Sequence, residues 1–358
     1  MDPLTHTLVG ASLASTRLGE KTPLATAALV IGANAPDIDV FAYALDGDFA
    51  IGFRRGWTHG ILALVVLPFI LTGVLLLFDR FVRRKPDAPA SVHWLVPLSV
   101  IAILTHPFLD WLNNYGMRWL MPFDGTWFYG DSVFIMDPWL WLILGCGWLL
   151  GRPPSALLLS TWAVFSGLLL FVVAGRSSRY VPVVATVAIA WLLALLWRKG
   201  SDTPLMRGRL AAAGLTAALV FIGGTLGIHG MTVTRVERDL ADLGIGPVER
   251  LMVGPVPIDP STWSVVAQLP AEYRFGTYAW RSGGFTMEEA RLPVPKPSPL
   301  WDTVKEDPSV RGFMTWARFP RYEVERTPNG TKVHIMDVRY TRGRTTGFGG
   351  VEVAVEAE

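Results

Sequence analysis

Long apolar runs separated by short charged loops fill the first two-thirds of the chain. A membrane-crossing helix needs about 20 mostly apolar residues, because it rises ~1.5 Å per residue through ~30 Å of hydrocarbon. Five windows meet that length almost without charge: 60–78, 92–112, 154–175, 180–197 and 210–228. Three more are ambiguous. Windows 4–16 and 137–151 are short, and 23–45 is long enough but carries Asp37 and Asp39. Counted together they predict about eight membrane helices, the short ones tilted or shielded by neighbours. Beyond Met231 the apolar blocks give way to mixed charge, proline and tryptophan. There, residues 332–340 follow Asn329-Gly330, a pair that favours a tight hairpin, and residues 349–356 alternate as a half-buried strand does. The expected fold is mainly α: a polytopic transmembrane helical bundle with a C-terminal β-rich, water-facing domain. Its parts are 1–151, 152–230 and 231–358. No repeat of solenoid length and no low-complexity tract interrupts this pattern.

Composition agrees with the pattern. Of 358 residues, 51% are hydrophobic and 17% charged, against about 25% charged in ordinary soluble domains. The net charge of +2 and the scatter of lysine and arginine between apolar blocks argue against a nucleic-acid partner. Cys146 is the only cysteine, so neither an internal disulfide nor a cysteine zinc site can form. Met1-Asp2-Pro3 lacks the positive start of a signal peptide. With eight crossings, one set of loops holds eleven lysines and arginines and the other holds five. Positive loops stay in the cytoplasm, which puts both termini, and the C-terminal domain, on the extracytoplasmic side.

Ionisable side chains are costly within a membrane segment unless paired, ligated or hydrated, so each is a functional candidate. Three Thr-His pairs, Thr5-His6, Thr58-His59 and Thr105-His106, stand at or near predicted helix ends. Asp37 and Asp39 follow Asn34-Ala35-Pro36, and Asp110 lies four residues after His106, on the same helical face across Pro107. Asp37 and Asp39 would diverge on a regular helix, but Pro36 disfavours helix before it, so a distorted end can turn both toward one point. In the eight-crossing arrangement His6, Asp37, Asp39, His59, His106 and Asp110 all fall at one membrane face. Three imidazoles and three carboxylates suit a divalent metal, zinc first, with manganese or iron as alternatives. The neighbouring threonine hydroxyls can orient the ligands. Taken singly, each residue also has a structural reading: a hydrogen-bonded histidine, a helix cap, a buried His-Asp pair. His93, His229 and His334 are not assigned to the site.

Residues 113–136 form a polar, aromatic loop at the same face, suited to a substrate pocket. Arg118, with Arg54 and Arg55 from an earlier loop, can bind phosphate through planar paired hydrogen bonds, or simply meet lipid headgroups. Asp131 and Asp137 also belong to this region, although Asp137-Pro138 has the form of a helix start.

Several of these segments together resemble one family. Met1-Asp2-Pro3-Leu4-Thr5-His6, Ala35-Pro36-Asp37-Ile38-Asp39, Arg55-Gly56-Trp57-Thr58-His59-Gly60, His106-Pro107-Phe108-Leu109-Asp110-Trp111 and Asp131-Ser132-Val133-Phe134-Ile135-Met136-Asp137-Pro138 resemble the YdjM-like family, inner-membrane proteins classed as metal-dependent hydrolases. The resemblance covers roughly residues 1–151 and leaves the rest of the chain unexplained. It extends distantly to zinc-dependent phospholipase C and nuclease enzymes. It implies the metal ligands His6, Asp37, Asp39, His59, His106 and Asp110, with Asp131 and Asp137 as weaker pocket residues, and a phosphoester or ester as the scissile bond. A metal-activated water would attack, with Asp39 or Asp110 as general base and Arg55 and Arg118 binding substrate. The expected location is a bacterial inner membrane, and the expected substrate is a membrane lipid or lipid-linked phosphate, with a protein partner for the C-terminal domain. Two other classes compete: a transporter moving protons or metal, which needs polar residues through the full depth of the bundle, and an anchoring protein, which needs no metal.

Overall fold

The computed structural model describes residues 1–151, 155–176, 180–197, 203–327, 330–341 and 348–355. Among the described residues, nine α-helices come first. They are α1 (Pro3–Ser15), α2 (Ala25–Gly32), α3 (Gly47–Phe53), α4 (Ile61–Phe78), α5 (Val92–Trp111), α6 (Pro138–Leu150), α7 (Ala156–Arg176), α8 (Val181–Trp197) and α9 (Pro204–Asp242). Four of the described helices, α4, α5, α7 and α9, are long and apolar enough to cross a membrane. A fifth span arises if α2 is joined to the 3-10 segment Ala35–Ala44 across a 50° bend. The expected count of eight is therefore approximate. At 13 residues, α1 and α6 reach only about 20 Å, against ~30 Å of hydrocarbon.

The chain divides into two compact units. The first comprises Met1–Ile38, Thr58–Ile228 and Pro255–Pro260. Within it α1 packs on α2 and α6, while α5 receives α2 and α4. Its interior is built from Ala28, Leu29, Leu95, Leu98, Ala102 and Ile103 on one side and Leu112, Val133, Leu140 and Leu144 on the other. The outer face of α4 leaves Phe69, Ile70, Val74 and Leu77 exposed. A helix apolar on both its buried and its exposed faces belongs in lipid. Pro68 in α4 and Pro97 and Pro107 in α5 sit inside unbroken helices, as neighbouring helices allow within a membrane.

The close packing of α2 on α5 depends on Gly32. A Cβ there would lie 2.8 Å from the Ala102 methyl.

The second unit comprises Asp39–Trp57, His229–Gly254 and Ser261–Glu358. A four-stranded sheet, β1 (Arg250–Val256), β2 (Asp259–Gln268), β3 (Glu272–Ala279) and β4 (Gly284–Pro293), runs in sequence order. After the short helices α10 (Pro299–Glu306) and α11 (Arg311–Trp316) comes a three-stranded sheet of β5 (Pro320–Thr327), β6 (Gly330–Asp337) and β7 (Gly350–Val355). The pairs β2–β3, β3–β4, β5–β6 and β6–β7 are all antiparallel. Met252, Val266, Tyr273, Phe275 and Phe319 form its core.

The expected strand over 332–340 is thus β6, but it stops at Asp337, and Val338–Thr341 turns into a one-turn helix, α12. The reason is local. The buried Asp337 carboxylate accepts the backbone N–H groups of Arg318, Phe319 and Arg339 and the guanidinium of Arg339. That drawing-in of Arg339 bends the chain out of the ladder. Asn329 of the expected turn lies outside the described residues, as do Arg152, Arg179, Arg198 and Lys199 of the loop-charge count. The strands on either side of the turn pair with Thr327 opposite Gly330.

Candidate metal centre

Each donor reaches the site from the end of an apolar element. Asp2 caps α1 through its Oδ1, which accepts the N–H groups of Leu4 and Thr5 at 3.0 and 3.1 Å. Thr5 Oγ1 donates to Asp2 Oδ2 at 2.6 Å, and the indole of Trp141 donates to the same group of oxygens. This fixes the first turn of α1 and with it the buried His6. The 3-10 segment after α2 carries Asp37, whose N–H donates to Asn34 O. His59 closes the loop before α4. Gly60 follows, where a Cβ would meet the Met121 carbonyl at 2.4 Å. His106 and Asp110 lie one turn apart near the end of α5.

Asp37, His59, His106 and Asp110 bring one ligand atom each to within 4.8 Å of one another. His59 Nε2 lies 3.1 Å from His106 Nε2 and 3.3 Å from Asp110 Oδ2. His106 Nε2 lies 3.6 Å from Asp110 Oδ2 and 3.7 Å from Asp37 Oδ1, and His59 Nε2 is 4.0 Å from Asp37 Oδ1. A tetrahedral ion with bonds of ~2.0–2.1 Å sets its ligand atoms about 3.3 Å apart, which is the scale of these separations.

The tautomers agree with that fit. His106 Nδ1 is 2.7 Å from the Ala33 carbonyl, which only accepts, so Nδ1 carries the proton and a neutral ring turns the Nε2 lone pair to the centre. His59 Nδ1 is 2.9 Å from Thr58 Oγ1. Two imidazole Nε2 atoms facing each other at hydrogen-bond distance are joined either by a proton on His59 Nε2 or by a shared cation, and the two carboxylates beside them suit the cation. The residues present fit a divalent metal.

His6 approaches from the other side. Its Nε2 is 3.3 Å from Asp110 Oδ1, and its ring stacks on His106 with centroids 3.7 Å apart. The Met1 amino group also meets Asp110 Oδ1. Three of the four donor side chains are fully buried, and Asp37 alone has 17% exposure, so the cluster opens toward Asp37.

The remaining expected residues have other surroundings. Asp39 accepts Arg54 Nε at 3.3 Å and the backbone N–H of Arg55 at 2.9 Å, and Arg55 adopts φ +52°. The buried Arg118 lays its guanidinium over Trp127 at 4.9 Å. Asp131 is buried with φ +45°. Asp137 caps α6, accepting the N–H groups of Trp139 and Leu140. That is the helix-start role its Asp-Pro pair suggests. Of the three threonines expected to orient a neighbouring histidine, only Thr58 bonds to its own. Thr5 turns to Asp2, and Thr105 donates to Ala102 O. His334 bonds Glu325 on the β5–β7 sheet. The partners that sequence reasoning missed are the Ala33 carbonyl, Asp2 and Trp141. A backbone carbonyl leaves no mark in a sequence, while Asp2-Pro3 is a legible helix start.

A sequence model of the YdjM inner membrane protein family matches residues 1–179, half of the chain and all four donors. The chain belongs to that family. It is also 28% identical over 348 residues to the uncharacterized protein YfhP of Bacillus subtilis, a match covering 95% of this chain and 87% of that one. The likeness to YfhP therefore runs through the C-terminal sheets, which lie beyond the YdjM match. No solved structure matches the chain.

Proposed function

We propose that this YdjM-family protein is a membrane-embedded metal-dependent hydrolase that cleaves a phosphoester or ester in a lipid or lipid-linked substrate. The observation that carries the reading is the convergence of His59, His106, Asp37 and Asp110 at tetrahedral ligand spacing at the ends of apolar helices. These four residues would hold the ion. A divalent metal supplies Lewis acidity there and lowers the pKa of water at the site.

The protein's own groups supply the rest. The Ala33 carbonyl and Thr58 hydroxyl fix the two imidazoles, so their nitrogens need no reorganisation when loaded. Of the two carboxylates expected to take a proton, Asp110 stands among the imidazoles with His6 against its second oxygen. Asp39 holds the Arg54–Arg55 turn. We therefore assign proton handling to Asp110 and His6, and give Asp39 a positioning role. Arg118 remains the candidate for a substrate phosphate, its guanidinium plane already oriented by Trp127. The orientation that leaves both termini extracytoplasmic belongs to the same proposal and rests on the charge of the loops.

The test is elemental analysis of the gently purified chain together with hydrolysis of a phosphodiester and a carboxylic ester. Wild type carries about one to three metal ions per chain, and His106→Ala loses both metal and turnover. Complete metal loss with undiminished hydrolysis would falsify the mechanism.

A further inference from the structure

The turn between β1 and β2, Pro255–Pro260, belongs to the first unit, and its two central residues are Pro257 and Ile258. A proline ring fixes its own φ near about −65°, whereas Ile258 stands at φ +72°. A proline followed by a left-handed residue is the pattern of a type II turn, whose second place normally goes to glycine or asparagine. A β-branched residue there is strained. Its side chain is nevertheless only 3% exposed and joins the buried cluster of Leu140, Trp141 and Tyr180. Beside it lies a cavity of about 200 Å³, between Phe134 and Met136 of the loop before α6 and Phe171 of α7. The turn is therefore not squeezed into this backbone by crowding. Its own burial and one hydrogen bond keep it there.

That bond leads toward the metal centre. Trp139, in the first turn of α6, donates its indole N–H to the Ile258 carbonyl at 2.8 Å and meets Tyr180 edge to face. Asp137 caps the same turn. Two residues further on, about 200° round the helix, Trp141 shares its indole N–H among the Asp2 carboxylate and Thr5 Oγ1 at 3.0–3.2 Å. The Asp2 N–H also donates to Ile135 O, just ahead of α6, at 3.1 Å. The start of α6 is thus gripped by the turn on one side and grips the start of α1 on the other. His6 follows Thr5 directly, with its Nε2 3.3 Å from Asp110 Oδ1 and its ring stacked on His106.

We propose that the β1–β2 turn is a positioning latch for the metal centre: Ile258 and Trp139 hold the first turn of α6 against α1 and so keep the His6 ring on His106 and Asp110. The inference rests on the metal-dependent hydrolase reading and adds to it two positioning residues from outside the donor helices. Neither touches the ion or the substrate. Such supports matter because about 1 Å of misplacement, caused far from the chemistry, can cost 10²-fold. They also explain an isoleucine where glycine would be relaxed. Its side chain seats the turn, and the seated turn presents its carbonyl to the indole.

The test is a competitive chelator titration of zinc on the full chain in detergent, with hydrogen exchange of the α1 amides read on the same samples. Trp139→Phe keeps the ring and removes the N–H, while Ile258→Gly relieves the backbone and removes the buried side chain. Both are expected to weaken zinc binding on the order of tenfold, the low end for loss of an orienting partner, and to speed exchange in the first turn of α1. Ile258→Val, which keeps a β-branched side chain in the seat, stays close to wild type. In a His6→Ala background Trp139→Phe is expected to add no further loss, because the latch acts through His6. A merely structural contact would lower the thermal midpoint and either spare zinc affinity or lower it equally in both backgrounds. Wild-type zinc affinity in both Trp139→Phe and Ile258→Gly, or an undiminished loss in the His6→Ala background, overturns the latch and leaves the hydrolase reading standing. A wild type that binds no zinc sinks that reading, and exchange then decides the latch alone. Faster exchange in α1 supports it, and unchanged exchange overturns it.

Discussion

At the scale of single residues, two carboxylates separated by one position have different fates. Asp37 and Asp39 look equivalent as ligands in sequence, yet Asp37 lies 3.7 Å from His106 Nε2 and Asp39 is bound to Arg54 and Arg55. Asp39→Asn is expected to keep wild-type metal stoichiometry, whereas Asp37→Asn and Asp110→Asn lower it, as read by elemental analysis after dialysis. Thr58 orients His59 from outside the ligand set, and loss of such a partner weakens metal affinity about 10–100-fold. Thr58→Val is expected to show that loss in a competitive chelator titration, while Thr105→Val, whose hydroxyl serves its own helix, shows none. The histidines and Asp110 were legible because ionisable groups are rare in apolar windows. Which of Asp37 and Asp39 faces the imidazoles was not, because the 3-10 geometry of Ala35–Ala44 sets their directions and no periodicity announces it.

At the scale of elements, the centre is built where helix ends meet. The approach of α2 to α5 carries the Ala33 carbonyl to His106 Nδ1, and Gly32 permits it. Gly32→Leu puts a side chain where only 2.8 Å separates a Cβ from Ala102, an overpacking that typically costs about 1–3 kcal/mol. It is expected to lower the thermal midpoint and the metal occupancy together. Gly73→Leu on α4, where a Cβ meets nothing within 4 Å, is the control that changes neither. Apolar windows announced the helices themselves, since length and hydropathy need no knowledge of neighbours. The break between α2 and the 3-10 segment was only half visible, in Pro36, because a 50° bend is settled by what the second half packs against.

At the scale of the whole molecule, the C-terminal unit has its own electrostatic anchor. Burial pushes the Asp337 carboxyl up, but the charge and hydrogen bonds of Arg339 and the backbone N–H groups outweigh it and hold the pKa below the usual carboxylate value. A carboxyl depressed on folding stabilises fully above its unfolded pKa, near 4, and loses that contribution as pH falls through the folded value. Thermal midpoints of the full chain, followed by tryptophan fluorescence, should therefore fall on acidification below about pH 4. Asp337→Asn removes part of that acid dependence and, by stranding the buried Arg339, costs about 3–5 kcal/mol at neutral pH. The proposed orientation has an equally direct check. With Cys146→Ser removing the lone thiol, Ser282→Cys on the exposed β3–β4 turn should react with a membrane-impermeant maleimide added to spheroplasts. Protection until lysis would invert the topology. The sequence by itself determined that this chain lives in a membrane, where its helices run, that its last third forms antiparallel strands, and that a few ionisable residues had to be gathered somewhere. Those conclusions follow from the cost of placing polar groups in hydrocarbon, which acts on each segment separately. Only the tertiary structure decided that His59, His106, Asp37 and Asp110 come together at one point and that Asp39 turns to arginine. Ligand geometry is a relation between distant backbones, and it is fixed by packing at the ends of helices rather than by any local pattern.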